Sequence, residues 1–525
     1  MPFHFSSTCL LPVLWSSLHD HFPDTFCPQC LRRSATETLF CHFYRPKERL
    51  APRPGPRLTF PSVEETLKPF MLSMKKLREI SSRFTKEMDN GLDKKKHQKA
   101  AVKMLPTFVR AKPDGSERGD FLALDLGGTN FRVLHIRVED KKILKVDSQI
   151  CAIPQEIMQG TGHELFDHLA KCLGEFLESQ KLKEQKLPLG FTFSFPCEQT
   201  EIDKSILIRW TKGFSCSGVE GKDVVQLLKD AIHKRGDYDI SSVVMVNDTV
   251  ATMMSCNQQE HEDPDCEIGM IIGTGTNACY MEDMKNVKRC EETEGQMCIN
   301  TEWGGFGDKS PLSDPGALDD ILTDFDKEVD ETSINPGVHI FEKMISGMYL
   351  GEIVRLVLVE LTNNNLLFEG KVTVRLDTKH TFETKHMSFI EGARVDQEVI
   401  DTIQDLLKVR CSEDDARVVS LVCDTISSRS AHLCAAALAA IANRIRLNKA
   451  KDNLKTAVGV DGTVYKKHPN FRHKLEDAVA FLAPECDLKF YISEDGSGKG
   501  AAMVTAVAQR QPHSRLMNGN GEEDR

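Results

Sequence analysis

Phe121-Leu122-Ala123-Leu124-Asp125-Leu126-Gly127-Gly128-Thr129-Asn130-Phe131-Arg132-Val133-Leu134 decides the fold class. An apolar run leads to a carboxylate and two glycines, after which Leu134, Ile136 and Val138 alternate with polar residues. That pattern predicts a β-hairpin with glycines at its tip. It is not a dinucleotide loop: the G-x-G-x-x-G spacing is absent, and the turn leads into a strand instead of a helix. A Walker loop is missing from the chain as well. Glycines permit close approach, so successive amides at such a tip form a nest for an anion, and Asp125 beside them suits Mg²⁺ held through water. A plain hairpin turn explains the same residues, and the pattern alone leans slightly that way.

Outward from this hairpin, apolar strands are expected at Phe191 to Phe195, Val243 to Val246 and Ile268 to Ile272. Helices are expected at Glu164 to Leu177, Lys222 to Arg235, Thr249 to Ser255, Ile340 to Leu361, Gln397 to Val409 and Ser430 to Arg446. A further helix, with Phe70, Met74, Leu77, Phe84 and Met88 on one face, is predicted to open on a Ser62/Glu65 capping box and stop at Asn90-Gly91. Strands mixed with helices over this length define an α/β protein. A second glycine turn, Gly273-Thr274-Gly275-Thr276-Asn277, follows its own apolar strand, which hints at two related lobes. Gly459 to Thr463 and Ser493 to Gly500 make a third and a fourth, and together they suggest a nucleotide gripped by several loops. In the last, Gly498 to Gly500 are read as opening a helix whose N-terminus faces an anion.

The 525 residues are 40% hydrophobic and 28% charged, with a net charge of −11. This is globular composition with material for a large core, and it excludes collagenous, coiled-coil and wholly disordered chains. An acidic balance argues against nucleic acid or an anionic membrane as the main partner. The seventeen cysteines are scattered through apolar stretches, which reads as buried free thiols of a reducing compartment, the cytosol. No apolar run approaches the length of a membrane span, and no secretory leader is visible. Residues 1 to about 60 carry several prolines and no periodicity and are expected to be poorly ordered. Cys27, Cys30, Cys41 and His42 among them are wrongly spaced for a zinc finger.

Asn247-Asp248-Thr249 follows the strand ending at Val246. A carboxylate at the carboxyl end of a strand suits a catalytic base, and an aspartate capping the next helix has equal standing. Trp210 to Phe214 and Asn300 to Gly304 set hydrogen-bonding side chains beside aromatics, the mixture that a sugar requires.

The strings LDLGGTNFRV, LGFTFSFPC, WTKGF, VNDTVATM, GTGTNACYME, CINTEWGGFGD, FEKMISGMYLGE, VGVDGTVYKKHP and SEDGSGKGAA resemble those of animal hexokinases, in the family's order, over about residues 62 to 510. The resemblance implies a two-lobed actin-like ATPase (ribonuclease-H-like) sugar-kinase fold whose cleft closes on sugar. It implies ATP- and Mg²⁺-dependent phosphorylation of glucose and related hexoses at the 6-hydroxyl, the first step of glycolysis. Asp248 matches the family's catalytic base and Lys212 the lysine beside the transferring phosphoryl group. Ser194, Phe195, Pro196, Thr211, Asn247, Asn277, Glu302 and Glu342 match the sugar-binding set. Asp125, Gly127, Gly128, Thr129, Asn130 and Arg132 match the first phosphate motif and Thr274 the second, with Asp125 the Mg²⁺ residue. Thr384, Ser388, Gly462, Thr463 and Ser497 match further nucleotide-contacting positions.

Residues 1–60 do not resemble the apolar leader by which some hexokinases attach to mitochondria, so anchoring is not expected. Lys309 to Gly316 is about six residues longer than the family's turn, a length that a surface loop tolerates. The expected organisation is an atypical leader over 1–60, an N-terminal part over 62–255, a C-terminal part over 263–508 and a polar tail over 509–525. That makes a single catalytic unit, read as a monomer. A glucokinase-type enzyme of low glucose affinity and a catalytically silent glucose sensor are the alternatives.

Overall fold

The structure is a computed structural model that describes residues 61–510 apart from 128–129, 140–141, 211–212, 257–263, 314 and 494–495. The expected disorder of the leader, its cysteine–histidine cluster and the tail beyond 510 lie outside the described residues.

The glycine-tipped hairpin is present. Strand β1 is Leu105–Pro106; β2 (Gly119–Leu126) pairs antiparallel with β3 (Asn130–Glu139), and β3 with β4 (Lys142–Ala152). Strands β5 (Leu187–Phe193) and β8 (Ile240–Val246) continue this sheet in parallel, giving the order β4-β3-β2-β5-β8; β6 (Cys197–Glu201) and β7 (Lys204–Leu207) form a separate hairpin. In the second sheet β9 (Cys266–Ile272), β10 (Thr276–Asp283) and β11 (Gln296–Asn300) run antiparallel in sequence. There β12 (Leu454–Asp461) and β13 (Cys486–Ile492) add in parallel, giving β1-β11-β10-β9-β12-β13. Apart from β1 the two sheets have one topology: an antiparallel meander whose first strand is extended by two parallel strands. The hint of duplication in the two glycine turns is thus written in strand order.

Two helices, Asp248–Cys256 and Gly496–Arg510, lie between the sheets. One apolar cluster unites Val250, Met253 and Met254 of the first and Ala501, Met503 and Val504 of the second with Ala123 and Val246 of one sheet and Cys279 and Ala457 of the other. Gly269, Gly459 and Gly500 make this packing possible. A Cβ on any of them would overlap a backbone carbonyl of the Asp248–Cys256 helix, at Thr249, Thr252 and Ala251 respectively. The second half also carries a helical layer built on Glu413–Asn448, 36 residues long and started by a capping box of Ser412 and Asp415.

Several expected boundaries are corrected. The first helix begins at Pro61, so Ser62 lies inside it, and the main helix is Met74–Leu92 with Ser73 as its N-cap. It runs through Asn90-Gly91 because Gly91 packs against the Val102 carbonyl and Met104 instead of turning the chain. The helix expected over 340–361 is broken into Ile340–Ile345 and Leu350–Asn363. There the Gly347 and Met348 amides turn away to the carbonyls of Gly273 and Thr274, at 2.7 and 3.2 Å. The helix expected over 430–446 is the second half of the 36-residue one. Gly498 and Gly500 lie inside their helix, which starts at Gly496, and press on Leu134 and the Ala251 backbone.

The described cysteines are free thiols, and all but Cys197 and Cys290 are buried. Among the described residues no helix is long and apolar enough to cross a membrane.

Candidate active site

The four glycine turns, far apart in sequence, are brought together. Asp125 near the end of β2 faces Arg132 across the hairpin, and Arg132 Nη2 donates to Asp125 Oδ2 at 2.7 Å. Ser497, in the first turn of the last helix, donates to the same oxygen at 2.6 Å and accepts from Arg132 Nη2 at 3.0 Å. The fourth turn is tied to the third: the Ser493 amide donates to Val460 O at 2.8 Å, and Lys466 Nζ donates to Ser493 O at 2.6 Å while pairing with Asp461. The third is pressed on the second. Gly462 has φ +103°, open to glycine and strained for other residues, and a Cβ there would overlap the Ile272 carbonyl. Thr384 Oγ1 donates to Gly347 O at 2.7 Å and accepts from the Gly351 amide at 3.0 Å, which braces the segment that the second turn diverts. Ser388 Oγ bonds back to Thr384 O at 3.0 Å. Thr274 and Thr463 are exposed on this surface, Thr463 opening the Thr463–Lys467 helix. Asn130 opens β3, while Gly128 and Thr129 lie outside the described residues.

Asp125 suits Mg²⁺ held chiefly through water. It is one part-buried carboxylate, and among the described residues no group of three or more His, Cys, Asp or Glu side chains forms a metal cage. Mg²⁺ commonly keeps several waters and leans on substrate phosphates, so one carboxylate beside a phosphate-sized turn is enough.

A second group of predicted residues adjoins the first. The Ser194 amide donates to Leu126 O at 3.1 Å, and Ser194 Oγ lies 3.7 Å from where a Gly127 Cβ would be. Phe195, just past the end of β5, stands edge-on to Trp210 and Phe214 with ring centroids 4.9 and 5.1 Å away, forming an apolar wall. The Pro196 carbonyl accepts from Ile208 N at 2.9 Å. Thr211 and Lys212 lie outside the described residues.

Asn247, not Asp248, is the helix cap. Its Oδ1 accepts from Thr249 N at 2.9 Å and Thr249 Oγ1 at 2.5 Å, and its carbonyl takes the first helical bond from Ala251 N at 2.9 Å. Asp248 therefore sits in the first turn, where the helix dipole favours its charge.

On the facing side, Asn277 Nδ2 donates to Asn300 Oδ1 at 2.8 Å and to Glu302 Oε1 at 3.3 Å, and Asn300 Nδ2 reaches the same Glu302 oxygen at 2.8 Å. Glu302 has left-handed backbone, φ 50° and ψ 47°, a conformation that costs a non-glycine residue roughly 1–3 kcal/mol and tends to mark functional sites. Burial raises the Glu302 carboxyl above the usual range, and the charges of Asp248 and Glu342 push the same way against the Asn300 bond and His339. Three predicted carboxylates thus share one neighbourhood. Glu342 Oε2 accepts from Thr276 N at 2.9 Å, tying it to the second glycine turn, and its Oε1 lies 3.3 Å from His339 Nδ1.

Asn300, His339, Arg209 and Asp308 belong to this neighbourhood and were not singled out in sequence. Asn300 opens one polar–aromatic stretch, Arg209 adjoins the other and Asp308 ends the string CINTEWGGFGD, which was the available signal; His339 had none. A separate cavity of about 1280 Å³, lined by residues including Arg110, Lys229, Ser242 and Glu291, reaches the Ile240 end of β8, away from the Asp248 end.

Two sheets of one topology, two helices between them and glycine turns gathered at the strand ends define the two-lobed actin-like α/β fold of ATPases and sugar kinases. Family models described as hexokinase match residues 62–258 and 267–507. Hexokinase-2 of Equus caballus and of Homo sapiens are each 54% identical over 450 residues, covering 85% of this chain and 48% of theirs. The chain spans about half the length of the curated relatives it matches. The hexokinase of Schistosoma mansoni, solved in complex with glucose, has 42% identity and a TM-score of 0.77, covering 85% of this chain and 98% of that one. The chain belongs to the hexokinase family.

Proposed function

We propose that the protein phosphorylates glucose and related hexoses at the 6-hydroxyl, using ATP and Mg²⁺. The observation that carries this reading is the meeting of two groups: the glycine turns joined by Asp125, Arg132 and Ser497, and the cluster of Asp248, Glu302, Asn277 and Glu342. Carboxylates and amides in that cluster suit the edges of a polyol, and the wall of Phe195, Trp210 and Phe214 screens water.

Asp248 is the base that accepts the proton of the 6-hydroxyl. Its place in the first turn sets its carboxylate at the positive end of the helix dipole. Asn277, Asn300 and Glu302 orient the sugar, and turn amides with Arg132 face the phosphates. By the family resemblance, Lys212 would serve the transferring phosphoryl group. Asp125 would hold Mg²⁺, and the ion would supply neutralisation of phosphate charge. Phosphoryl transfer needs little covalent help, so positioning and charge neutralisation supply most of the catalysis. Free buried thiols suit the reducing cytosol as the place of action.

A coupled assay for glucose 6-phosphate tests the reading. We expect turnover in the native chain and a loss of about 10²–10⁴-fold in Asp248→Ala. Glucose binding with no product above that control would leave a silent sensor. In the same assay, saturation well below millimolar glucose would exclude the low-affinity glucokinase type.

A further inference from the structure

His339 precedes the Ile340–Ile345 helix with left-handed backbone, φ 62° and ψ 46°. Asp308 holds it there, one carboxylate oxygen accepting from His339 N at 3.0 Å and the other from Ile340 N at 2.9 Å. The ring is consequently fixed from its backbone outward. Its Nδ1 lies 3.3 Å from Glu342 Oε1 and its Nε2 lies 3.1 Å from Arg209 Nη2.

The proton inventory of these atoms settles the tautomer. A guanidinium only donates, so Nε2 must accept, and the ring proton is on Nδ1, where it is donated to Glu342. The imidazole in this arrangement is neutral. A second proton would land on Nε2, the atom that must stay bare for Arg209, and would set two cations against each other. Arg209 follows β7 beside Trp210, in the segment matched by the first family model, whereas His339 lies in the segment matched by the second. Their bond therefore joins the two parts of the chain that build the site.

The surrounding charges oppose that bond. Burial pulls the ring down, but the bond to Glu342 and the negative fields of Glu342, Glu302 and Asp308 outweigh it and raise His339 above the ordinary histidine value. Asp248 faces Glu302 from the helix after β8, Lys343 offsets Asp308, and Lys103 feels both Asp308 and Arg209. The carboxylates draw in a proton that the Arg209 guanidinium excludes, so the charge of the ring is set by that competition.

We propose that His339 is a proton-sensitive positioning residue. Neutral, it ties Arg209 to Glu342 and holds the sugar side of the site together; protonated, it releases Arg209 and weakens hexose binding. Because the proton binds the released form, affinity is lost as pH falls through the ring's midpoint and returns as pH rises. This inference rests on the hexose reading of the site.

Two measurements test it, and the first needs no sugar. In histidine-labelled protein the His339 ring signals, assigned by their loss in His339→Gln, should report a proton on Nδ1 at high pH. Arg209→Leu should raise their midpoint by about one pH unit, since a neighbouring cation is removed. An unmoved midpoint would overturn the proposal. The second is calorimetric titration with glucose near pH 6 and near pH 8, the range of histidine titration. The native chain should bind about five- to tenfold more weakly at the lower pH, and His339→Gln should be flat, because its amide bonds both partners without titrating. The same pH dependence in both proteins would overturn the proposal. Should His339→Gln fail to fold, Arg209→Leu must show the flat profile instead. Absence of glucose binding in the native chain at both pH values defeats the hexose reading, and the ring titration still decides the Arg209–His339 link.

Discussion

Ser497 Oγ donates to Asp125 Oδ2 at 2.6 Å, although 372 residues separate them. Arg132 completes a triangle by donating to both, so the first glycine hairpin and the last helix form one polar unit. Ser497→Ala deletes a hydrogen bond to a charged group, worth about 1.5–3 kcal/mol. The expected outcome is a KM for ATP raised by about tenfold, with the glucose KM changed by less than about twofold. Steady-state titration of each substrate checks this, and an equal rise in both constants would argue against a nucleotide role.

Asn300 bridges Asn277 and Glu302, and its amide is the group that holds Glu302 Oε1 at 2.8 Å. Asn300→Ala leaves a carboxylate that burial already disfavours with one donor fewer. Glucose affinity should fall by about ten- to a hundredfold, with ATP affinity retained. Equilibrium glucose binding, followed by the fluorescence of the adjacent Trp303, reads this directly. Unchanged affinity would place the sugar elsewhere.

Gly500 touches the Ala251 backbone so closely that one methyl group has no room. Gly500→Ala must push two core helices apart, an overpacking penalty of about 1–3 kcal/mol or more. The urea midpoint should fall accordingly, and turnover should fall with it, because the displaced helix carries Asp248. Gly218→Ala supplies the comparison: its added Cβ meets no neighbour, but its φ of +75° makes a small strain cost expected.

His432, buried in the 36-residue helix, is held down to about 4 by burial and by the charge of Lys474. The unfolded chain takes up a proton at the ordinary histidine value of 6.5, while the folded one resists until about 4. Stability from this site is thus complete above the unfolded value and declines as pH falls through the window between them, by roughly 3 kcal/mol at most. Urea denaturation from neutral pH downward should show that slope, and His432→Gln should flatten it. A parallel slope in the variant would assign the loss to other groups.

Much of the fold was legible because it rests on local patterns. The Asp125 hairpin, the strand into Asp248 and the second glycine turn each announce themselves within about a dozen residues. What was not legible depends on contacts between distant segments. The break after Ile345 answers to carbonyls at Gly273 and Thr274, and nothing between 340 and 361 records them. Gly91 looks like a helix stop and is instead a packing contact. At the site, motifs named the residues with a recognisable role, but Asp308, inside the string CINTEWGGFGD, was given none, and His339 lies outside every string. Those two act on backbone amides and on other side chains, and such duties leave no fixed spacing. The sequence left Asp248 poised between base and cap, and the Asn247 hydrogen bonds give the cap to its neighbour.

The glycines pressed against the Asp248–Cys256 helix have one more consequence. Asp248 emerges from β8 of the first sheet, yet Gly269 and Gly459 seat its helix on strands of the second. These joints are backbone against backbone, with no rotamers to rearrange. The last helix makes the same kind of joint on both of its sides, Gly500 against the Ala251 carbonyl and Ala501 against Gly190 of β5. The two helices therefore form one rigid axle through which a displacement of either sheet is passed to Asp248.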